Sequence, residues 1–473
     1  MVFNSYIFIL CFLPISLIGY YALGNTKKPP VYDWWLVLVS LFFYAFISPK
    51  MLIYPLVSCF INYFFVKLLF KKKYQKNGIS ISKGVLAFGI LVNVLSLSFY
   101  KYVEVKSIIV PLGISFISFA QIAYLVDTYK GLTYYDSIAE YLLYVMWFPK
   151  VMQGPLLKHD LFIESLHNEN RATMNYDNLS EGIFFFSVGL FKKMFIADNI
   201  AIAVNYCYEF SDILGFKTAL FVILGYTLQI YMDFSGYSDM AFGISKMFNI
   251  AIPVNFNSPY KAVSITDFWK RWHISLTDFL RDYIYYPLGG SRKGKLRTAL
   301  NIIIVFVISG LWHGKGLTFL VWGLLHGFCQ VLERSLKKVL EKVPKLIRIL
   351  FTFVIVNIGW VLFRAKDLSQ FLSIITSLFK RDNYIVLSEG LKKCDLLHMD
   401  ALLNRLGSFG QLLNDNSSLV ILIAGLLTCF FCPNLYEKKH KYNVALSLVT
   451  VVLLLLEILS LNGAMTTFIY FNF

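Results

Sequence analysis

Charge is scarce in this sequence. Asp, Glu, Lys and Arg supply 15% of its 473 residues, against the roughly one quarter that keeps a soluble surface wet. That shortage excludes a water-soluble enzyme and a disordered chain. Cysteines are few and scattered, at 11, 59, 207, 329, 394, 429 and 432. Five lie within apolar runs, where the thiol packs as a small hydrophobe, so no disulfide scaffold is implied. Cys429 and Cys432 have CxxC spacing but close an apolar run with no second pair, which gives no support to metal or redox use. With 28 Gly and 13 Pro, the composition is not that of a collagenous fibre. What fills the space is apolar: 57% of the residues are hydrophobic and 17% are aromatic. This is the composition of a polytopic membrane protein.

Acidic residues are the scarcer sign, 28 against 44 basic, for a net charge of +16. In a soluble chain that excess would raise the question of nucleic acid. Here the Lys and Arg sit in short loops beside apolar runs, as the positive-inside bias expects, and no basic-aromatic nucleic-acid module accompanies them.

Apolar runs near 5–23, 34–48, 51–70, 84–100 and 107–127 are candidate membrane helices, since a crossing takes ~20 residues. No basic residue precedes the first run and no small-residue cleavage site follows it, so it reads as a retained span rather than a signal peptide. Lys27-Lys28, Lys71-Lys72-Lys73 and Lys130 follow the first, third and fifth runs. Counting crossings puts all three groups on one face, which should be cytoplasmic, with the N-terminus outside. Runs at 138–157 and 218–250 are interrupted by Pro149, Gly154-Pro155, Asp233, Gly236, Asp239 and Gly243. Irregular backbone at membrane depth is tolerated where it faces protein or a water-filled cavity, so both are expected to be broken. Further runs lie at 182–206, 298–312, 317–333, 347–363, 417–435 and 442–461. The expectation is an all-α polytopic fold of about 11–13 membrane helices, with broken or re-entrant segments around a central tunnel.

Three of the seven histidines fall in the least regular region: His273, His313 and His326. Ionisable groups inside a membrane are costly and by default suggest function. His313 lies in Gly310-Leu-Trp-His-Gly-Lys-Gly316, after the 15-residue run Thr298–Trp312. That run rises roughly 22 Å, short of a full crossing, which would set His313 at a glycine-rich break between two short helices. A neutral imidazole there can take a proton from a hydroxyl or return one to a leaving group. His273 lies in a stretch whose apolar residues recur at 265, 268, 269, 272, 276, 279, 280 and 283. This is a helical period, expected as one amphipathic helix at the interface or along a polar tunnel. Asp267 and Arg271 form an attractive i,i+4 pair, while Asp278 and Asp282 repel and need a partner such as Arg281. His326, 13 residues after His313, reads first as a packing residue, although it could face the same cavity. No metal-ligand spacing is present, nor a nucleophile elbow, P-loop or dinucleotide fingerprint.

These residues resemble the membrane-bound O-acyltransferase superfamily. The likeness is to its bacterial branch, which includes alginate O-acetyltransferase and the D-alanyl transferase of teichoic acids. It is carried by Asp267-Phe-Trp-Lys-Arg-Trp-His-Ile-Ser-Leu-Thr-Asp-Phe-Leu-Arg-Asp-Tyr-Ile-Tyr-Tyr-Pro-Leu-Gly-Gly-Ser-Arg-Lys-Gly294, by Ser309-Gly-Leu-Trp-His-Gly314 and by Gly359-Trp-Val-Leu-Phe-Arg-Ala365. Pro111-Leu-Gly-Ile-Ser-Phe116, Phe148-Pro149 with Gly154-Pro155, and Met232-Asp-Phe-Ser-Gly-Tyr-Ser-Asp239 extend it upstream. The resemblance implies a catalytic His313 in a membrane tunnel and a supporting His273. Asp267, Trp312, Asp278, Arg281 and His326 are the candidate tunnel or supporting residues. It also implies no bound cofactor, but an acyl thioester donor (acetyl-CoA or an acyl carrier protein) arriving from the cytoplasm.

The chain is read as one integral acyltransferase domain over 1–473. It comprises N-terminal helices at 1–130, a core at 131–365, an amphipathic segment with a following helix at 366–441, and a last span with an aromatic tail at 442–473. Glu437-Lys-Lys-His-Lys441 should be cytoplasmic, which places the tail outside a cell membrane, as with the N-terminus. That tail, Phe468-Ile-Tyr-Phe-Asn-Phe473, resembles the C-terminal motif of acyltransferases that modify secreted polymers. There a tyrosine, here Tyr470, is thought to carry the acyl group to an extracytoplasmic, esterase-like partner. The D-alanyl branch commonly takes such a motif from a separate small peptide, which favours acetyl transfer to a surface polysaccharide. Asn472 departs from the Gln frequent in acetylating relatives. The rival readings are a polysaccharide transporter or flippase, against which no internal repeat is visible, and a membrane scaffold for a partner enzyme.

Overall fold

The computed structural model describes residues 1–47, 49–73, 78–103, 110–133, 136–382, 416–437 and 444–460. Among them the regular structure is entirely helical, with no strand. Eight helices there are long and apolar enough to cross a membrane. They are joined by shorter or more polar helices such as Ile114–Lys130 and Leu317–Ser335. Large apolar side chains such as Phe60, Phe64, Leu346, Phe351, Phe431 and Leu459 point outward. In a membrane protein that face meets acyl chains at no cost. The protein is an all-α polytopic membrane protein.

The helices sort into two compact units. One is built from Met1–Val188 and Tyr237–Val254 together with the last helix, Val444–Ser460. Lipid tails are as apolar as leucine, so helices need polar contacts and close packing to associate. This unit supplies both. Asn62 and Asn93 exchange amide hydrogen bonds of 2.7 and 3.3 Å. Asn62 Nδ2 also donates to Gln121 Oε1 at 3.1 Å, and Ser58 Oγ donates to the same oxygen at 2.8 Å. One network thus ties the helices Ile53–Lys73, Gly78–Tyr102 and Ile114–Lys130. Gly182 and Gly243 meet so closely that a Cβ on Gly243 would lie 2.4 Å from the Gly182 carbonyl oxygen. Tyr6 Oη donates to the carbonyl of Ile458 at 2.8 Å and holds the last helix.

The interruption expected within 138–157 is present. The helix Ile138–Met146 starts with a capping box between Ser137 and Glu140 and stops at Trp147, whose ψ of 115° leaves the helical region. A short helix, Phe148–Val151, restarts with Pro149 in its first turn, the position where a missing N–H costs nothing. The interruption expected within 218–250 is absent: Phe216–Met247 is one helix of 32 residues. Its polar and small residues serve helix packing instead. Asp233 is paired with a lysine, and the glycines mark close approach to a neighbouring helix.

The second unit comprises Gly189–Gly236 and Asn255 onward to residue 437. Lys193 is buried and bonds Asp233 at 2.7 Å and Asp198 at 2.8 Å, so one cation and two carboxylates satisfy one another. Gly236 approaches Gly189, where a Cβ would lie 2.7 Å from the carbonyl oxygen. Thr227 Oγ1 donates to Asn357 Oδ1 at 2.6 Å. Of the mixed stretch 365–416, the helix Leu368–Ser377, capped by Asp367, is described.

Replacing Asn93 by leucine takes the Asn93 Nδ2 donor away from Asn62 Oδ1, while Asn62 Nδ2 keeps Gln121 Oε1. A buried group orphaned in this way costs about 1–3 kcal/mol, near the upper range for interhelical bonds in membranes. N93L is therefore expected to lower the thermal unfolding midpoint of the purified protein in detergent, and an unchanged midpoint would show the network to be energetically silent.

Candidate active site

The second unit holds all three histidines singled out from the sequence, at positions that differ in part from expectation. The helix Lys295–His313 has 19 residues, not the short run inferred from hydropathy. Lys295 and Arg297 occupy its first turn, since long basic side chains can reach back to water. It rises roughly 27 Å, so it is long enough to span. His313 is its last residue and is buried, one helix length from the basic loop at residues 292–297. The chain then passes Gly314, Lys315 and Gly316 into Leu317–Ser335. Gly314 is needed here, and so is Gly310 in the last turn of the helix: a Cβ on Gly314 would lie 2.2 Å from the Phe319 ring, and one on Gly310 would lie 2.3 Å from the Phe319 carbonyl oxygen.

His313 is walled by aromatic rings. Trp312, half-buried, lies 4.4 Å from it between centroids, and Trp322 and Phe363 present edges at 5.1 and 5.0 Å. His326 shares the Trp322 wall at 5.0 Å, and its Nδ1 accepts from Trp269 Nε1 at 3.4 Å. Its other nitrogen faces Gly359, where a Cβ would lie 2.7 Å from Nε2. The missing side chain at Gly359, on Lys345–Arg364, thus leaves room for this ring.

The single amphipathic helix expected across 264–283 is broken. Ile265–Trp269 ends at Lys270, His273 adopts φ 44° and ψ 53°, and Ile274–Leu280 follows, passing into a π-helical turn, Arg281–Tyr285. A left-handed histidine costs about 1–2 kcal/mol, so something must hold it. The holder is Asn255. Its carbonyl accepts from Ile274 N–H at 3.0 Å, and its Oδ1 accepts from Ser275 N–H and Oγ at 3.2 and 2.8 Å. Asn257 N–H donates to the Arg271 carbonyl at 2.9 Å, closing the other side.

Asp267 is engaged in this scaffold. Its Oδ1 accepts from Arg271 Nε at 2.9 Å and its Oδ2 from Val263 N–H at 3.1 Å. Glu333, near the end of Leu317–Ser335, accepts from the N–H of Ile265 and from Thr266 N–H and Oγ1 at 3.0 and 3.1 Å. It thereby satisfies donors at the start of the 265–269 helix that nothing else reaches. Arg281 separates the two like charges, bonding Asp278 at 2.6 Å and Asp282 at 2.8 Å, as their spacing required. All three are partly exposed, so they are not a buried charged centre.

His273 is buried against the edge of Phe234, 4.8 Å away. Both of its ring nitrogens, and Asn255 Nδ2 beside it in the turn, have no hydrogen-bond partner among the described residues. It lies outside the spanning helices, and burial pushes its imidazole down to about 3. It is therefore neutral at physiological pH. A neutral imidazole can donate or accept a hydrogen bond. Trp272, the residue before His273, is joined to His313 by rings: Trp272 to Trp360 at 4.7 Å, Trp360 to Phe363 at 5.7 Å, and Phe363 to His313. Tyr470 lies outside the described residues.

Comparison with known proteins now gives the class. The model of the membrane-bound O-acyltransferase family matches residues 39–366. A peptidoglycan O-acetyltransferase from Helicobacter pylori is 35% identical over 100% of this chain and 98% of its own. A probable alginate O-acetylase, AlgI, from Azotobacter vinelandii is 36% identical over 78% of this chain and 76% of its own. A teichoic acid D-alanyltransferase from Bacillus subtilis is 28% identical over 54% of this chain and 69% of its own. The chain belongs to the membrane-bound O-acyltransferase family. It is a multi-pass membrane acyltransferase.

Two outcomes follow from this geometry. Gly359→Ala drives a methyl group against His326, displacing the ring and with it Trp322, one wall of His313. Acyl transfer is expected to fall at least ten-fold with the protein still inserted, and undiminished activity would remove His326 and Trp322 from the site's support. The second concerns acid. The His273 pKa is lower in the folded than in the unfolded chain, so folding excludes a proton there. That contribution is intact above about 6.5 and is lost as pH falls below it. His273→Gln should flatten the fall in thermal midpoint between pH 6.5 and 4, and an unaltered pH profile would contradict the burial argument.

Proposed function

We propose that this protein is an O-acetyltransferase that passes an acetyl group from a cytoplasmic thioester, acetyl-CoA or an acyl carrier protein, to a cell-surface polysaccharide, peptidoglycan being the favoured polymer. The observation that carries the reading is the match to a peptidoglycan O-acetyltransferase across the whole chain at 35% identity. The similarity to the D-alanyltransferase spans about half of this chain, which ranks D-alanyl transfer to teichoic acid second.

In the proposed reaction His313 is the general base. Tyr470, on a tail outside the membrane, is the first acceptor. A phenol with a pKa near 10 is a poor nucleophile until its proton is removed. His313 takes that proton as the Tyr470 oxygen attacks the thioester carbonyl. The carbon–sulfur bond breaks, the departing thiolate takes the proton back from His313, and the acetyl group stays as an ester on Tyr470. An extracytoplasmic transferase with an esterase-like site then accepts it and delivers it to a sugar hydroxyl. His273 and Asn255 Nδ2 offer hydrogen bonds to a polar group of a bound substrate away from the reacting carbonyl, an arrangement whose value lies in being fixed beforehand. The aromatic walls align donor and acceptor across His313 and keep water out.

Mass spectrometry of the C-terminal peptide tests this. Wild-type cells are expected to yield an acetyl ester on Tyr470, and His313→Ala should abolish both the ester and polymer acetylation while the protein inserts normally. A D-alanyl adduct would keep the mechanism and change the donor. Retained polymer acetylation in His313→Ala would overturn the role of that histidine.

A further inference from the structure

Lys150 and Gln153 leave a single turn of chain in the first unit, and both side chains are wholly buried. The turn sits at the break after Ile138–Met146 and is closed by Gly154 N–H donating to the Lys150 carbonyl at 2.9 Å. It could not be closed by a larger residue, because a Cβ on Gly154 would lie 2.4 Å from Lys150 Cα. Other parts of the unit press on the same turn. Gly113, at φ +66°, comes so near that a Cβ would lie 2.0 Å from the Val151 carbonyl oxygen. Tyr237 Oη donates to the Pro149 carbonyl at 3.3 Å, and Phe148 N–H donates to Ser40 Oγ at 3.3 Å. Backbone on every side is thus fixed. The side chains inside are not satisfied: Lys150 Nζ and both amide atoms of Gln153 have no hydrogen-bond partner among the described residues. Lys150 Nζ lies over the face of Tyr144, 5.1 Å from the ring centroid.

An unpaired buried amine and a wholly unpaired buried carboxamide are among the most costly groups a fold can hold, and each calls for an explanation. Their chemistry names a complement. Gln153 offers one acceptor and two donors in a plane, which is the counterpart of a second amide: its Nε2 donates to a carbonyl and its Oε1 accepts from an N–H. Lys150 adds a donor for a further oxygen. We propose that Lys150 and Gln153 bind a secondary amide of a substrate, and that this amide belongs to the pantetheine arm of the thioester donor. This rests on the acetyl-CoA reading above. The arm is a thin chain carrying two amides, widened only by the two methyl groups and the hydroxyl beside one of them, and it suits a site enclosed by packed helix and turn. The N-acetyl group of an amino sugar has the same amide but brings a bulky ring with it.

Equilibrium binding to the full-length protein in nanodiscs tests the assignment, using coenzyme A, 3′,5′-ADP as the same nucleotide without its arm, and a chito-oligosaccharide bearing N-acetyl groups. Gln153→Leu and Lys150→Met replace the unpaired groups by apolar ones of similar size, so the thermal midpoint should hold or rise. Gln153→Leu is expected to weaken coenzyme A binding at least ten-fold and Lys150→Met at least three-fold, with 3′,5′-ADP unaffected in both. Unchanged coenzyme A affinity in Gln153→Leu overturns the proposal while leaving the donor reading intact. Weakened oligosaccharide binding with coenzyme A unaffected reassigns the amide to the acceptor and overturns the pantetheine assignment. A fall in thermal midpoint with equal loss of both nucleotides would make the pair structural and overturn it too. Failure of the wild type to bind coenzyme A would instead bring down the acetyl-CoA reading itself.

Discussion

The left-handed turn at His273 is the constraint on which the candidate active site depends. Sequence periodicity across 265–283 favours one continuous helix, and a continuous helix would carry Trp272 and His273 around its own axis to other faces. The turn prevents this by placing one residue at φ 44°, a conformation that histidine adopts only when its surroundings compel it. Asn255 compels it through three hydrogen bonds that only a broken chain can donate. Glu333 secures the segment before the turn and Arg281 the segment after it. With the backbone so held, Trp272 packs on Trp360, Trp360 on Phe363, and Phe363 against His313. The placement of one histidine thus follows from the strain accepted at another.

Much of this was legible in the sequence, and the parts that were not have a common cause. Hydropathy located the spans because each is a local property of some 20 residues. The break at 138–157 was visible because Pro149 and Gly154 act on their own backbone. The unbroken helix Phe216–Met247 was misread because Asp233 and Gly236 look like interruptions until Lys193 and Gly189 are seen beside them. The true length of Lys295–His313 was hidden by the basic residues of its first turn, which hydropathy counts as loop. The break at Lys270–His273 was hidden more thoroughly, since it is imposed by Asn255, some 20 positions away. Asn255 did leave a trace, as an isolated amide in the otherwise apolar stretch Ile252-Pro-Val-Asn-Phe256. Glu333 left none, because a glutamate near the end of a helix is commonplace.

Buried polar groups in this molecule fall into a matched set and an unmatched one. Several that join helices are matched: Asn62 with Asn93 and Gln121, Thr227 with Asn357, Lys193 with two carboxylates. A fold among lipids has little alternative, since water is not there to supply the missing bond. The imidazole of His273, the Asn255 Nδ2, the Lys150 amine and the Gln153 carboxamide are unmatched among the described residues, although the backbone around each is fixed by short contacts. Rigid backbone around unmet hydrogen-bonding groups is what a site prepared for a reactant requires, because groups free to reorient would find partners within the protein and lose their readiness. The cost of leaving them unmet is carried by the paired helices around them.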